Sequence, residues 1–193
     1  MLNLMIGTMK ASKSSILIDM FKKYQEEKPI IFYPACCDKK DGYVVSRDKD
    51  KQAKAIKVFE VQDMYNYVDS TDLILIDEVQ FIVGEKDLDE FMQFLEYCDR
   101  KNKRIFCFGL SLDYLSKSFI VTERILPYAD TVTILSAYCD VCGSTATRCI
   151  RYVDGVLDDN PDSDVLVMEG RNVEYKSICK KCYRELTGLN AIK

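Results

Sequence analysis

The chain reads as an α/β domain on a mainly parallel sheet, followed by a small cysteine-rich lobe. Three observations predict this. Short apolar runs alternate with helical periodicities through the first 137 residues. The first run ends in Gly7 and leads through a loop into a helix beginning near Lys13 and Ser14. Beyond the alternation stand two C-x-x-C knuckles, Cys139/Cys142 and Cys179/Cys182.

Each element follows from its pattern. Residues 2–6 (LNLMI) make a short buried strand. SILIDMFKKYQ places Ile16, Leu17, Met20, Phe21 and Tyr24 at helical spacing. IIFYPA (30–35) is a second strand stopped by Pro34, and the polar, charged span 36–53 reads as a mobile loop. AIKVFEV (55–61) is a third strand with a short helix after it. LILID (73–77) is a strongly apolar strand ending in acids, and 87–101 is an amphipathic helix. RIFCFGL (104–110) is another buried strand. A turn-rich segment, a helix near 119–128 and a strand at 131–137 complete the alternation. The expected division is 1–137 for the α/β domain and 138–193 for the lobe. Parallel sheets bind ligands beyond the carboxyl ends of their strands. Gly7, Asp77, Glu78 and Gly109 all fall at such ends.

Composition narrows the function. With 193 residues, 48% hydrophobic and 30% charged, the chain is a globular protein. Its net charge of −4 and lack of a long basic run argue against nucleic-acid and membrane-surface partners. The N-terminal apolar run is too short for a signal peptide or a membrane helix, so a cytoplasmic location is expected. Nine cysteines then read as thiols or metal ligands rather than a disulfide framework. Without a single histidine, His-based triads, bases and metal sites are excluded. Acid–base work falls to carboxylates, Lys, Tyr or Cys.

Three constellations carry chemistry. GTMKASKS (7–14) is close to the phosphate-binding pattern G-x-x-x-x-G-K-[ST]. Gly7, Thr8, Met9, Lys10, Ala11, Ser12, Lys13, Ser14 and Ser15 would surround the phosphates. Lys13 would neutralise β/γ-oxygens, and the Ser14 hydroxyl would ligate Mg²⁺. Ser12 stands where the pattern has glycine, at a position that often needs a backbone costly for a residue with Cβ. The alternative is an ordinary strand–turn–helix.

LILIDEVQF (73–81) delivers Asp77 and Glu78 to a strand end. In extended backbone they would point to opposite sides, one supporting Mg²⁺ and one facing a substrate hydroxyl. Solvated acids at a strand end are the plain alternative. The two knuckles, with 36 residues between them, make a closed Cys₄ zinc site of Cys139, Cys142, Cys179 and Cys182. The span between must fold as a loop or hairpin. A closed site has no open position for catalysis. Cys36, Cys37, Cys98, Cys107 and Cys149 are not expected to join it.

This order of motifs resembles the thymidine kinases of the cellular, zinc-containing type. GTMKASKS is similar to the family's G-P-M-F-S-G-K-S, and LILIDEVQF to L-L-I-D-E-x-Q-F. GLSLDYLSKSF (109–119) resembles G-L-R-T-D-F-R-G-E-L-F. Residues 126–155 and GRNVEYKSICKKCY (170–183) resemble the segments around the two cysteine pairs, so the likeness runs over nearly the whole chain. It implies a RecA-like P-loop domain with a zinc-held lasso over the nucleoside, ATP and Mg²⁺ as cofactors, and a homotetramer or dimer. By position it makes Glu78 the base toward the sugar 5′-hydroxyl. Met9, Phe81, Tyr114 and Phe119 become pocket walls, and Tyr175 the lasso tyrosine. Gly170 opens the closing lasso motif, and Ser46-Arg47 fits the pair after the flexible loop.

Departures are also clear. Lys40 stands where the family has an arginine that clamps the phosphoryl group, and offers a point charge in place of a planar fork. Ser111 replaces a residue that is usually charged. Cys149 replaces the threonine beside the thymine 5-substituent. The expected reaction is ATP-dependent phosphorylation of thymidine, with deoxyuridine the other candidate acceptor. Ser12 and Lys40 leave open a nucleotide-binding homologue without turnover. A P-loop ATPase with a zinc interaction module is the other alternative.

Overall fold

A computed structural model of the chain describes residues 1–37, 39, 42–46, 50–165 and 172–188. Its centre is a six-stranded sheet in which every pairing is parallel. The strands are β1 (Leu2–Gly7), β2 (Ile30–Pro34), β5 (Ile56–Val58), β6 (Leu73–Ile76), β7 (Arg104–Leu110) and β8 (Thr131–Leu135), ordered β5-β2-β6-β7-β1-β8. Helices cover both faces: α1 (Lys13–Lys23), α2 (Val61–Tyr65), α3 (Leu88–Arg100) and α4 (Ile120–Ile125).

Two-sided burial explains why the strands read as unbroken apolar runs. Ile74 and Ile76 of β6 point into the layer with Phe91, Leu95, Val61 and Ile125. Leu73 and Leu75 point the other way, into the layer with Leu17 and Ile18 of α1. α3 buries Leu88, Phe91, Met92, Leu95 and Cys98 along one stripe. Among the described residues no helix is long and apolar enough to cross a membrane.

Within the span read as a mobile loop, the described residues include two short strands. β3 (Tyr43–Val45) and β4 (Gln52–Lys54) form an antiparallel hairpin. Val44 and Ala53 are buried in the α1 layer while their neighbours face out. One buried residue per three-residue strand is too weak a period to register in a charged stretch. The helix foreseen near 119–128 is shorter: α4 stops at Ile125, and Leu126–Tyr128 forms a 3₁₀ turn.

The cysteine lobe is a small β structure. β9 (Ala137–Tyr138) pairs with β10 (Thr145–Ala146). β11 (Arg148–Val153) lies between β12 (Val156–Leu157) and β13 (Val173–Ile178), all antiparallel. A helix not anticipated from the sequence, α5 (Lys180–Thr187), closes it. Its core is slight: Ala146, Ile150, Ile178 and Tyr183, around three of the cysteines.

Candidate active site

The loop that resembles the phosphate-binding pattern leaves β1 at Gly7, where packing, not an unusual φ, demands glycine. A Cβ there would meet the Leu135 carbonyl oxygen at 2.3 Å. The loop then bends through two residues in the left-handed region, Lys10 at φ 62° and Ser12 at φ 57°. Ser12 thus holds the conformation that glycine supplies without strain. Lys13 and Ser14 open α1. The Lys13 ammonium is buried and donates to the carbonyls of Thr8 at 2.7 Å and Gly7 at 3.3 Å.

Ser12→Gly should therefore raise stability. Left-handed backbone costs a residue with Cβ about 1–2 kcal/mol, and glycine's greater freedom when unfolded returns about 0.4–1 kcal/mol of that. Ser12 is exposed, so little contact is lost. The expected net gain is about 0.5–1 kcal/mol, read as a higher urea midpoint at unchanged slope. A lower midpoint would contradict it.

The loop forms one wall of a cavity of about 890 Å³. Met9, Lys10, Ala11, Ser12, Lys13, Ser14 and Ser15 line it from the loop and α1. Glu78, Phe81, Tyr114, Phe119, Cys149 and Tyr175 line it from other elements. The fold so brings together residues spread from 9 to 175. Phe81 and Phe119 meet edge to face, ring centroids 5.4 Å apart. Burial, with Asp113 nearby, pushes the Cys149 thiol up to about 11, so it presents a neutral S–H.

Three predicted residues do not line the cavity: Gly7, Thr8 and Asp77. Thr8 is buried and its hydroxyl donates to the Arg148 carbonyl at 2.8 Å. Lys40, Arg47 and Gly170 lie outside the described residues. Ser46 turns inward, its hydroxyl donating to Asp50 at 2.6 Å.

The two acids are not displayed by an extended strand. β6 ends at Ile76, and Glu78 sits at φ 49°, ψ 43°. This sharp turn leaves Asp77 buried behind the cavity, paired with the Lys39 ammonium, while Glu78 opens onto it. Burial pushes the Glu78 carboxyl up, and Asp77 adds to it against Lys39, Lys13 and a hydrogen bond from Gln80. Burial alone would lower Lys39, but Asp77 and Glu78 outweigh it and hold the ammonium above its ordinary value.

Lys39, Gln80 and Arg151 have roles the sequence did not single out. Lys39 lines the cavity beside the acids. Gln80 is buried; its amide donates to Glu78 at 2.7 Å and accepts from the Leu110 backbone N–H at 3.0 Å. Gly109 leaves the space it needs, since a Cβ there would meet Gln80 Oε1 at 2.7 Å. Arg151 is buried on β11: its guanidinium donates to Asp158 at 2.9 and 2.7 Å and lies 3.8 Å from the Tyr114 ring centroid. The Tyr114 hydroxyl in turn meets the carbonyls of Asn160 and Ser163, each at 3.2 Å. A pocket aromatic is thereby tied to the segment after β12. Gly109, Gln80 and Arg151 carried a hint, as parts of a strand end, of DEVQF and of the matched segment 126–155.

The four sulfurs of Cys139, Cys142, Cys179 and Cys182 lie within 4.8 Å of one another, a donor set and spacing that fit zinc. The first knuckle turns at Gly143, φ 74°, whose N–H donates to the Cys139 carbonyl at 2.9 Å. In the second, Cys179 caps α5 and accepts from the Cys182 N–H at 3.4 Å. No other described group of His, Cys, Asp and Glu is comparable.

A family model described as thymidine kinase matches residues 1–183. Among solved structures, one titled "crystal structure of DNA replication initiation factor" is similar at 16% identity and a TM-score of 0.41. That likeness covers 69% of this chain, which spans only 39% of the other.

Proposed function

The chain belongs to the thymidine kinase family, and from that premise we propose that it transfers the γ-phosphate of ATP to the 5′-hydroxyl of thymidine. One observation carries the reading: a phosphate loop and a carboxylate of raised proton affinity line one aromatic-walled cavity. Residues 1–137 would handle ATP, and 138–193 would close over the nucleoside.

In this reading Glu78 takes the 5′-hydroxyl proton as the sugar oxygen attacks the γ-phosphorus. Gln80 holds the accepting carboxylate in place. Lys13 swings from the Gly7 and Thr8 carbonyls to the phosphoryl oxygens, and Lys39 adds a second cation on the cavity wall. Lys40 remains a candidate clamp. Phe81, Tyr114, Phe119 and Tyr175 enclose the nucleoside, and the Cys149 thiol faces the base. Ser14, on the cavity wall, would hold Mg²⁺ through its hydroxyl, and Asp77, which is paired with Lys39, would support the ion only once that cation is released. When bound, Mg²⁺ supplies charge neutralisation on the β/γ-oxygens. The outer strand β8 exposes Val132 and Ile134, an apolar edge that suits self-association.

The test is ATP consumption with Mg²⁺ plus thymidine, deoxyuridine, deoxycytidine or no nucleoside, with products identified by mass. Thymidine-dependent monophosphate is expected. ATP loss without nucleoside dependence would sink the kinase in favour of an ATPase, and binding without product would leave a nucleotide-binding homologue.

A further inference from the structure

The phosphate loop adopts a shape that its own residues do not favour. Lys10 and Ser12 both occupy the left-handed region, where a Cβ is strained. Three bonds to the cysteine lobe hold this stretch from outside. Thr8 donates to the Arg148 carbonyl at 2.8 Å, and the Ser177 hydroxyl donates to the Met9 carbonyl at 2.7 Å. Lys10 pairs with Asp140 at 2.6 Å. The last two are one unit, because the same Asp140 oxygen accepts from the Ser177 backbone N–H at 2.7 Å. Ser177 is fully buried.

The placement of the partners matters. Asp140 lies between Cys139 and Cys142, and Ser177 lies two residues before Cys179. The backbone of Asp140 also donates to the Ser177 carbonyl at 2.8 Å. Asp140 and Ser177 are therefore set by the two knuckles that would share one metal.

We propose that the cysteine lobe is a clasp on the phosphate loop, with Asp140 and Ser177 as positioning residues that hold Met9 and Lys10 in the phosphate-receiving shape. The metal at the four cysteines locks the clasp by tying the segments that carry these two residues. Its effect on ATP rests on the function proposed above; the clasp itself does not. Linkage then runs both ways: metal occupancy favours ATP binding, and bound ATP tightens metal binding by the same factor.

Hydrogen–deuterium exchange of zinc-loaded, nucleotide-free protein tests it in Ser177→Ala, Asp140→Asn and Lys10→Met. Amides of residues 8–13 should exchange about three- to tenfold faster per bond removed, with zinc content and exchange in β11 and β13 unchanged. In the same variants the dissociation constant for a fluorescent ATP analogue should rise by a similar factor. Unchanged loop exchange overturns the clasp. Zinc loss in Ser177→Ala and Asp140→Asn overturns it too, since the two side chains would then serve the lobe and not the loop. Lys10→Met breaks the ion pair from the loop side and leaves the lobe's own residues intact, so the reading survives poor folding of the other two. Wild-type protein that binds no ATP would defeat the proposed function, and loop exchange alone would then decide the clasp.

Discussion

Glu78→Gln is expected to lower turnover by about 10²–10⁴-fold, the typical worth of a positioned general base. Its ATP affinity should stay within about twofold, because the change removes an interaction made as the proton moves, not one made with bound ATP. The geometry predicts a second effect. Burial and Asp77 push the Glu78 carboxyl up, so the folded protein keeps this proton to higher pH than the unfolded chain does. Ionising Glu78 then costs stability as pH rises from the unfolded value, near ~4.3, through the raised folded one. Glutamine carries no such cost. The variant should match the wild type in urea midpoint at low pH and exceed it at neutral pH. In the wild type, the acid limb of the kcat/KM profile should lie above the ordinary glutamate range, since the base works only when ionised. Turnover within a few-fold of wild type in Glu78→Gln would remove Glu78 from the chemistry.

Much of the fold was legible because the strands are buried on both faces and the helices on one. LILI at 73–76 and the stripe in 88–100 state those two environments directly. The β3–β4 hairpin was not legible, since a single inward residue per strand is all that marks it. α5 was hidden for another reason: it is eight residues long and mostly polar, and Cys179 and Cys182 already had an assignment as ligands. The strain at Ser12 was readable from the missing glycine, and the backbone carries it at φ 57°.

The site divides along the same line. Residues within a motif announced themselves; residues that act through distant contacts did not. Asp77 and Glu78 looked like a pair displayed by one strand. A left-handed turn at Glu78 separates them, and Lys39, from a span read as loop, takes up Asp77. Arg151 lay within the segment 126–155 matched to the family, but its role was hidden because its partners, Tyr114 and Asp158, come together only when β11 is packed. Thr8 belongs to the loop by sequence, but its hydroxyl fastens the loop to β11 instead of facing the cavity.

Replacing one knuckle cysteine, Cys139→Ser, should have the largest effect on stability. Among the described residues the lobe's buried core is four aliphatic and aromatic side chains around the thiols, little to set against the chain entropy of fixing its strands. A metal at the four cysteines would supply the difference, since structural zinc sites bind with about 10–16 kcal/mol in small peptides. Loss of one ligand from a closed four-ligand set should abolish stoichiometric zinc. Strands β9 to β13 should become open to protease, while the parallel sheet, with its separate two-layer core, remains protected. Thymidine-dependent activity should vanish with the lobe, because Cys149 and Tyr175 line the cavity from it. Chelation of the wild type should reproduce the same cleavage pattern, and zinc should reverse it. A redox pair would behave otherwise: the protein would fold without metal, and oxidation of each C-x-x-C would protect the lobe rather than expose it. Full zinc content in Cys139→Ser, or protease resistance after chelation, would show that the cysteines do not form one closed site.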